Sequence, residues 1–321
     1  MLGARDIGGL MGMMPAFATD NAGDYRARDT VDVDRLHKGV DRAVRDGFNV
    51  ISTTGSFGEC HTLTMDEFRV LAHETAAAVK KRVPLFIGTT APNTRECIEK
   101  MRIVAETGAD GVLAGVPYYF PSSPENAVNF YKEIGEAFPK LNIMIYHNPA
   151  LHHVRLPIDA VNEIARNPAV VAMKDSHREP LEMSRLCKLT AGRLSVMVNQ
   201  GQYFSYSDMG AAGFWSIDAW MGPWPQLALR NAIARGDRKL ATEITSDFVA
   251  PSGGGEKNLQ WRETAAKVGM RFAGYVDPGP LRPPFVKVPD SVVEGQKKRV
   301  ERWKLLCGKY RPLVEAAQAA E

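Results

Sequence analysis

The chain has 321 residues, 45% of them hydrophobic, with 40 basic against 37 acidic side chains and a net charge of +3. That balance gives no electrostatic ground for a nucleic-acid partner. No apolar run reaches the roughly 18 residues of a membrane span, and the four cysteines (Cys60, Cys97, Cys187, Cys307) lack the spacing of a zinc site or a disulfide framework. The short apolar stretch Leu10–Phe17 is broken by Gly12 and Pro15 and does not read as a secretory signal, so a reduced, cytoplasmic protein is expected.

In chain order, short apolar runs alternate with amphipathic segments. The runs Met11–Ala18, Val50–Thr53, Pro84–Gly88, Gly111–Ala114, Asn142–Tyr146, Ala169–Lys174, Leu194–Val198 and Gly213–Ile217 read as strands, each followed by a helix. Thr64-Met65-Asp66-Glu67 is a capping box, Asn93 and Ser123 are N-caps, and Pro124 suits a first helical position. Beyond Gly222 the strands stop. Two helices are expected between Pro225 and Val249, one ending near Ala273, and a last one over Asp290–Tyr310. The loops between them are Pro251–Gly255 and the Pro/Gly-rich stretch Asp277–Pro284. Eight βα units predict a (β/α)8 TIM barrel over residues 1–222, with the final barrel helix and a C-terminal helical extension over 223–321. The basic cluster Lys297-Lys298-Arg299 with Arg302 and Lys304 reads as a solvated helix face.

Four segments fall at the C-terminal ends of these strands, where barrel active sites are built. Gly55-Ser56-Phe57-Gly58-Glu59 combines glycines and a hydroxyl, which suits a carboxylate or phosphate. Pro117-Tyr118-Tyr119 follows the fourth strand, and Tyr146 closes the fifth. Lys174 ends the apolar run Ala169–Met173, and alternation puts Ser176 on its side. A lysine buried there gives up its proton more readily and can attack a ketone to form a Schiff base. A neighbouring tyrosine can move the protons.

Together, Gly55-Ser56-Phe57-Gly58-Glu59, Pro117-Tyr118-Tyr119, Tyr146-x-Asn148-Pro149 and Lys174 resemble the dihydrodipicolinate synthase / N-acetylneuraminate lyase superfamily of pyruvate-using class I aldolases. The resemblance runs to Gly210–Ser216. It implies Lys174 as the Schiff-base lysine, Tyr146 as the proton relay, and Gly55, Ser56 and the backbone of Phe57 as the pyruvate-carboxylate site. It further implies a small 2-keto acid substrate, no metal or organic cofactor, and a homotetramer in which Tyr119 crosses an interface. Two departures disfavour the synthase itself. Phe57 stands where the family usually has threonine, and Ala150-Leu151-His152-His153 stands where the synthase has an arginine. Phe57 with Trp215, Trp220 and Trp224 makes the expected pocket aromatic.

The run Phe57-Gly58-Glu59-Cys60-x-Thr62-Leu63-Thr64 and the tail Gly279-Pro280-x-Arg282-Pro283-Pro284 resemble the hydratase-aldolases of aromatic-hydrocarbon degradation. That resemblance implies cleavage of an ortho-substituted benzylidenepyruvate to an aromatic aldehyde and pyruvate, with Trp215 and Asn258 in the substrate pocket. The ortho group is expected to be carboxylate ahead of hydroxyl, because His61, His147 and His177 lie near strand ends. The alternative is a sugar-acid aldolase or dehydratase, or a synthase-like enzyme of the same superfamily.

Overall fold

A computed structural model describes residues 1–249 and 259–319. Its eight strands are β1 (Gly9–Met13), β2 (Val50–Thr53), β3 (Leu85–Gly88), β4 (Gly111–Ala114), β5 (Asn142–His147), β6 (Val170–Asp175), β7 (Ser195–Asn199) and β8 (Gly213–Ser216). They form a closed barrel in sequence order, with parallel pairing from β2 through β8. The helices are α1 (Val33–Asp46), α2 (Met65–Val79), α3 (Thr94–Thr107), α4 (Pro124–Ala137), α5 (Pro149–His152), α6 (Ile158–Ile164), α7 (Pro180–Leu189), α8 (Tyr203–Ser207), α9 (Trp224–Ala234), α10 (Arg238–Val249), α11 (Leu259–Ala273) and α12 (Asp290–Gln318). β2 to β5 are buried along their whole length and mostly apolar, as strands covered on both faces must be.

The expected caps form. Thr64 and Glu67 exchange bonds, Thr64 N–H to Glu67 Oε2 at 2.9 Å and Glu67 N–H to Thr64 Oγ at 3.3 Å. Asn93 accepts from the Glu96 N–H at 3.0 Å, and Ser123 from that of Asn126 at 3.2 Å. Two boundaries differ from expectation. β1 ends at Met13 rather than Ala18, because Pro15 has no N–H for the ladder. Ala18 instead bridges antiparallel to Val31. α12 continues past Tyr310 and through Pro312 to Gln318. Burial of Val314 beyond the proline stabilises the extra turns against the lost hydrogen bond.

The chain divides into two compact units, Met1–Met11 with Asn49–Gly55 and Lys80–Trp215, and Gly12–Phe48 with Ser56–Val79 and Ser216–Glu321. In the second, Trp220 is fully buried and meets Phe17 and Phe48 edge-on, with centroids 6.1 and 5.3 Å away. Trp224 lies under the Arg311 guanidinium. Both tryptophans are therefore engaged within this unit. The basic cluster on α12 is paired: Arg299 with Asp218, Lys297 with Glu294, and Lys304 with Glu301.

In the first unit, the turn after β2 is held by Thr54, which adopts a left-handed φ of 47° and donates its hydroxyl to the Gly88 carbonyl at 2.8 Å. A Cβ on Gly88 would run into the carbonyl oxygens of Thr53 and Thr54. Backbone cannot yield as a side chain does. Gly88→Ala is expected to lower stability by about 3 kcal/mol, the upper end for an overpacked site. Urea denaturation reads the effect, and an unchanged midpoint would show that the turn relaxes freely.

Candidate functional site

The ends of β5 and β6 run in register, Tyr146 opposite Lys174 and His147 opposite Asp175. Paired residues on adjacent parallel strands share a face, and the next pair takes the opposite one. One face therefore carries Tyr146 and Lys174, each 3% exposed. The Lys174 ammonium lies 4.7 Å from the Tyr146 ring centroid and 3.7 Å from that of Trp215 on β8, and donates to Ser176 Oγ at 2.8 Å. Two aromatic faces attract a cation that burial has stripped of water. The Trp215 indole is itself fixed, its N–H donating to the Asp175 carbonyl at 3.0 Å.

The other face carries His147 and Asp175. The Leu156 N–H donates to His147 Nε2 at 3.2 Å, so that nitrogen holds the lone pair. In the neutral ring the proton then sits on Nδ1, which faces Asp175 Oδ1 at 3.3 Å. Asp175 Oδ2 accepts from Arg178 Nε at 2.8 Å, and Arg178 also reaches the Leu156 carbonyl at 3.1 Å. The His177 N–H and the Tyr206 hydroxyl, the latter on the Arg178 carbonyl, complete the network. Burial alone would push the Asp175 carboxyl up. The hydrogen bond from His147 and the charge of Arg178 outweigh it and hold the group well below the usual carboxylate range.

Both ring nitrogens of His147 are thus engaged, one by Asp175 and the other by the Leu156 N–H. His177 is exposed. His61 is exposed as well, with its ring edge-on to Phe285.

A histidine not singled out by sequence reasoning lies at the site. His152, on α5, is 4% exposed, with its ring perpendicular to that of Tyr146 at 4.8 Å. Burial, then the nearby Lys174 charge, push its pKa down to about 3, so it is neutral. Gly115 after β4 makes room for it, since a Cβ there would strike the imidazole. The signal was a histidine near the position of the synthase arginine, followed only as a missing cation.

The carboxylate-loop residues divide. Gly55 is buried in the first unit. In the second, Ser56 is half-buried, Phe57 is 3% exposed, and Glu59 adopts a left-handed φ of 55°. Tyr119 is 76% exposed, its ring edge-on to an equally exposed Phe120. Asn258 lies outside the described residues.

The profile of the dihydrodipicolinate synthetase family matches residues 11–302. A trans-O-hydroxybenzylidenepyruvate hydratase-aldolase of Pseudomonas aeruginosa is 32% identical, the match covering 96% of either chain. A trans-2'-carboxybenzalpyruvate hydratase-aldolase of Nocardioides sp. (strain KP7) is 28% identical, again over 96% of each. The solved structure of PhdJ bound to a substrate intermediate superposes with a TM-score of 0.90 at 28% identity, covering 96% of this chain and 99% of that one.

Removing Arg178 leaves Asp175 charged and half-matched. Arg178→Met is expected to cost about 3–5 kcal/mol, the scale for breaking a buried pair from one side. Because the Asp175 pKa is depressed, its contribution is present above the unfolded value of 3.8 and is lost as pH falls toward the folded pKa. The wild type should therefore lose stability steeply in that acid range, and the loss should be smaller in Arg178→Met. Parallel urea melts at pH 7 and pH 3 read both. Identical slopes would remove Asp175 from the acid transition.

Proposed function

The chain belongs to the dihydrodipicolinate synthetase family, and on that footing we propose that it is a hydratase-aldolase cleaving an ortho-substituted benzylidenepyruvate to an aromatic aldehyde and pyruvate. The observation that carries the reading is the in-register pair Tyr146 and Lys174, with the Trp215 ring 3.7 Å from the lysine nitrogen.

In the proposed reaction Ser56 and the backbone of Phe57 receive the substrate carboxylate. The neutral Lys174 amine adds to the adjacent ketone, and loss of water leaves an iminium, with Tyr146 passing the protons. The iminium withdraws electrons along the conjugated alkene, so water adds at the carbon bearing the ring and gives up a proton, and the enamine so formed takes a proton at the adjacent carbon, which restores the iminium. Tyr146 then takes the new hydroxyl's proton as the carbon–carbon bond breaks. Its electrons pass into the iminium, giving aldehyde and enamine. Protonation of the enamine carbon and hydrolysis release pyruvate and regenerate Lys174. One lysine is the electron sink for both steps, so no metal or organic cofactor enters the chemistry.

Phe57 and Trp215 favour an aryl group over a polyhydroxylated chain. A sugar acid would leave hydroxyls unsatisfied at about 1–3 kcal/mol each, whereas a ring gains about 0.5–1.5 kcal/mol from offset stacking beyond its burial. With both ring nitrogens of His147 engaged, that histidine gives carboxylate no preference over hydroxyl at the ortho position, and both belong in the test. We further propose a cytoplasmic homotetramer in which Tyr119 packs against another subunit. No helix among the described residues is long and apolar enough to cross a membrane.

Borohydride with pyruvate should add a pyruvate-derived mass to the wild type and none to Lys174→Ala. Trapping that persists in the variant refutes the lysine assignment. Tyr146→Phe should keep the fold and lower kcat by about 10²–10⁴, the scale for losing a placed acid–base group. The kcat/KM for 2'-hydroxy- or 2'-carboxybenzylidenepyruvate should exceed that for N-acetylneuraminate and 2-keto-3-deoxygluconate. A sugar acid as best substrate would replace this reading with the sugar-aldolase one.

A further inference from the structure

The C-terminal extension places a buried charge cluster under the turn that carries Ser56. Glu59 closes this turn, its N–H donating to the Ser56 carbonyl at 3.1 Å, while its own carbonyl accepts from the Thr62 N–H at 2.9 Å. Its left-handed φ is uncommon outside glycine and costs about 1–2 kcal/mol, so the conformation persists only where its surroundings impose it.

The side chain shows what imposes it. Glu59 Oε2 accepts from Lys267 Nζ at 2.5 Å and from Arg282 Nη1 at 2.9 Å. All three groups are removed from water, at 7, 1 and 2% exposure. Lys267 comes from α11 and Arg282 from the Gly279-Pro280-Leu281-Arg282-Pro283-Pro284 stretch.

Arg282 has a donor count that matches its surroundings. Its five N–H groups meet five acceptors: Thr30 Oγ at 2.8 Å from Nε, the Ala16 carbonyl at 3.0 Å and Glu59 from Nη1, and the Phe17 and Thr30 carbonyls at 3.2 and 2.8 Å from Nη2. Lys267 Nζ adds a second bond to the Ala16 carbonyl at 3.2 Å. The segment after β1 and the turn after β2 are thus tied to one another by two cations of the extension. A flexible ammonium in place of Arg282 could not span this set.

Glu59 faces both cations, and the Glu67 carboxylate, which also feels the Arg282 charge, accepts from the Thr30 N–H and hydroxyl and from Thr64. Burial, opposed by Glu59 and reinforced by Arg282 and Arg271, brings the Lys267 pKa down to about 8, as crowding of like charges requires.

We propose that Lys267 and Arg282 are positioning residues for substrate binding. They hold the Glu59 turn in the shape that receives the 2-keto acid carboxylate. The inference rests on the reading of Ser56 as the carboxylate site. It gives the extension a role in substrate affinity, separate from the chemistry on Lys174.

The test measures the pyruvate concentration for half-maximal borohydride trapping, and the trapping rate at saturation, in wild type, Ser56→Ala, Glu59→Gln and Lys267→Met. Glu59→Gln keeps an acceptor in place and removes only charge, which guards against a variant that fails to fold. Circular dichroism and melting curves establish the fold of each. All three variants should raise the half-saturating concentration by on the order of tenfold, the effect of one weakened charge-assisted hydrogen bond. In Glu59→Gln and Lys267→Met the saturating rate should stay near wild type. Half-saturation in the wild type should also rise above pH 8 as Lys267 loses its proton, and Lys267→Met should lack that step. If Ser56→Ala weakens binding but Glu59→Gln and Lys267→Met do not, the inference falls and the carboxylate reading stands. If Ser56→Ala binds like wild type, the carboxylate reading falls and takes the inference with it. A loss confined to the saturating rate overturns the inference too.

Discussion

A carboxylate taken out of water must be matched by the protein or become neutral. Asp175 is matched on both oxygens, by the His147 ring and the Arg178 guanidinium, and its backbone carbonyl carries the Trp215 indole. That one residue thereby ties the end of β5, the end of β6, the start of the following loop and a side chain of β8. Lys174 precedes Asp175 by one position, and Tyr146 precedes its partner His147 by one. Where they point, and how far apart they lie, depends on this junction.

Strand alternation keeps the two electrostatic systems apart. His147 and Asp175, with Arg178 bound to Asp175, take one face, and Tyr146 and Lys174 take the other. Lys174 thus lies against aromatic faces and a serine hydroxyl. Aromatic faces stabilise the ammonium only modestly, and they suit the iminium that would replace it. The neutral His152 extends the same pattern, since a second cation beside Lys174 is what its environment suppresses.

The Glu59 cluster repeats the use of a buried charge to shape a turn. Buried ion pairs add little net stability, because desolvation consumes most of the attraction. What they supply is geometric demand. A fivefold-bonded Arg282 permits one arrangement of the Ala16–Phe17 segment, Thr30 and Glu59. The proline-rich segment that bears it is well suited to the task, because its backbone has little freedom to follow a different one.

Local chemistry carries the sequence far. Apolar runs bounded by capping boxes and turn residues place the strands and most helix starts, since those depend on neighbours three or four positions away. Alternation alone puts Lys174 at a strand end and Ser176 on its side, and the hydrogen bond between them follows from that. It misjudges β1, because Met14 to Ala18 is as apolar as a strand while Pro15 withdraws from the ladder. The face His147 would take was open to the same alternation, but not the partner waiting there. Asp175 lies 28 residues away, and Lys267 and Arg282 lie 208 and 223 residues from Glu59. No local pattern announces such pairs, because a charge on a helix reads as solvated until another part of the chain closes over it. The sequence by itself determined the barrel and the strand ends at which Lys174 and Tyr146 sit. Only the tertiary structure decided which charges are buried, because burial and pairing depend on groups brought together from distant parts of the chain.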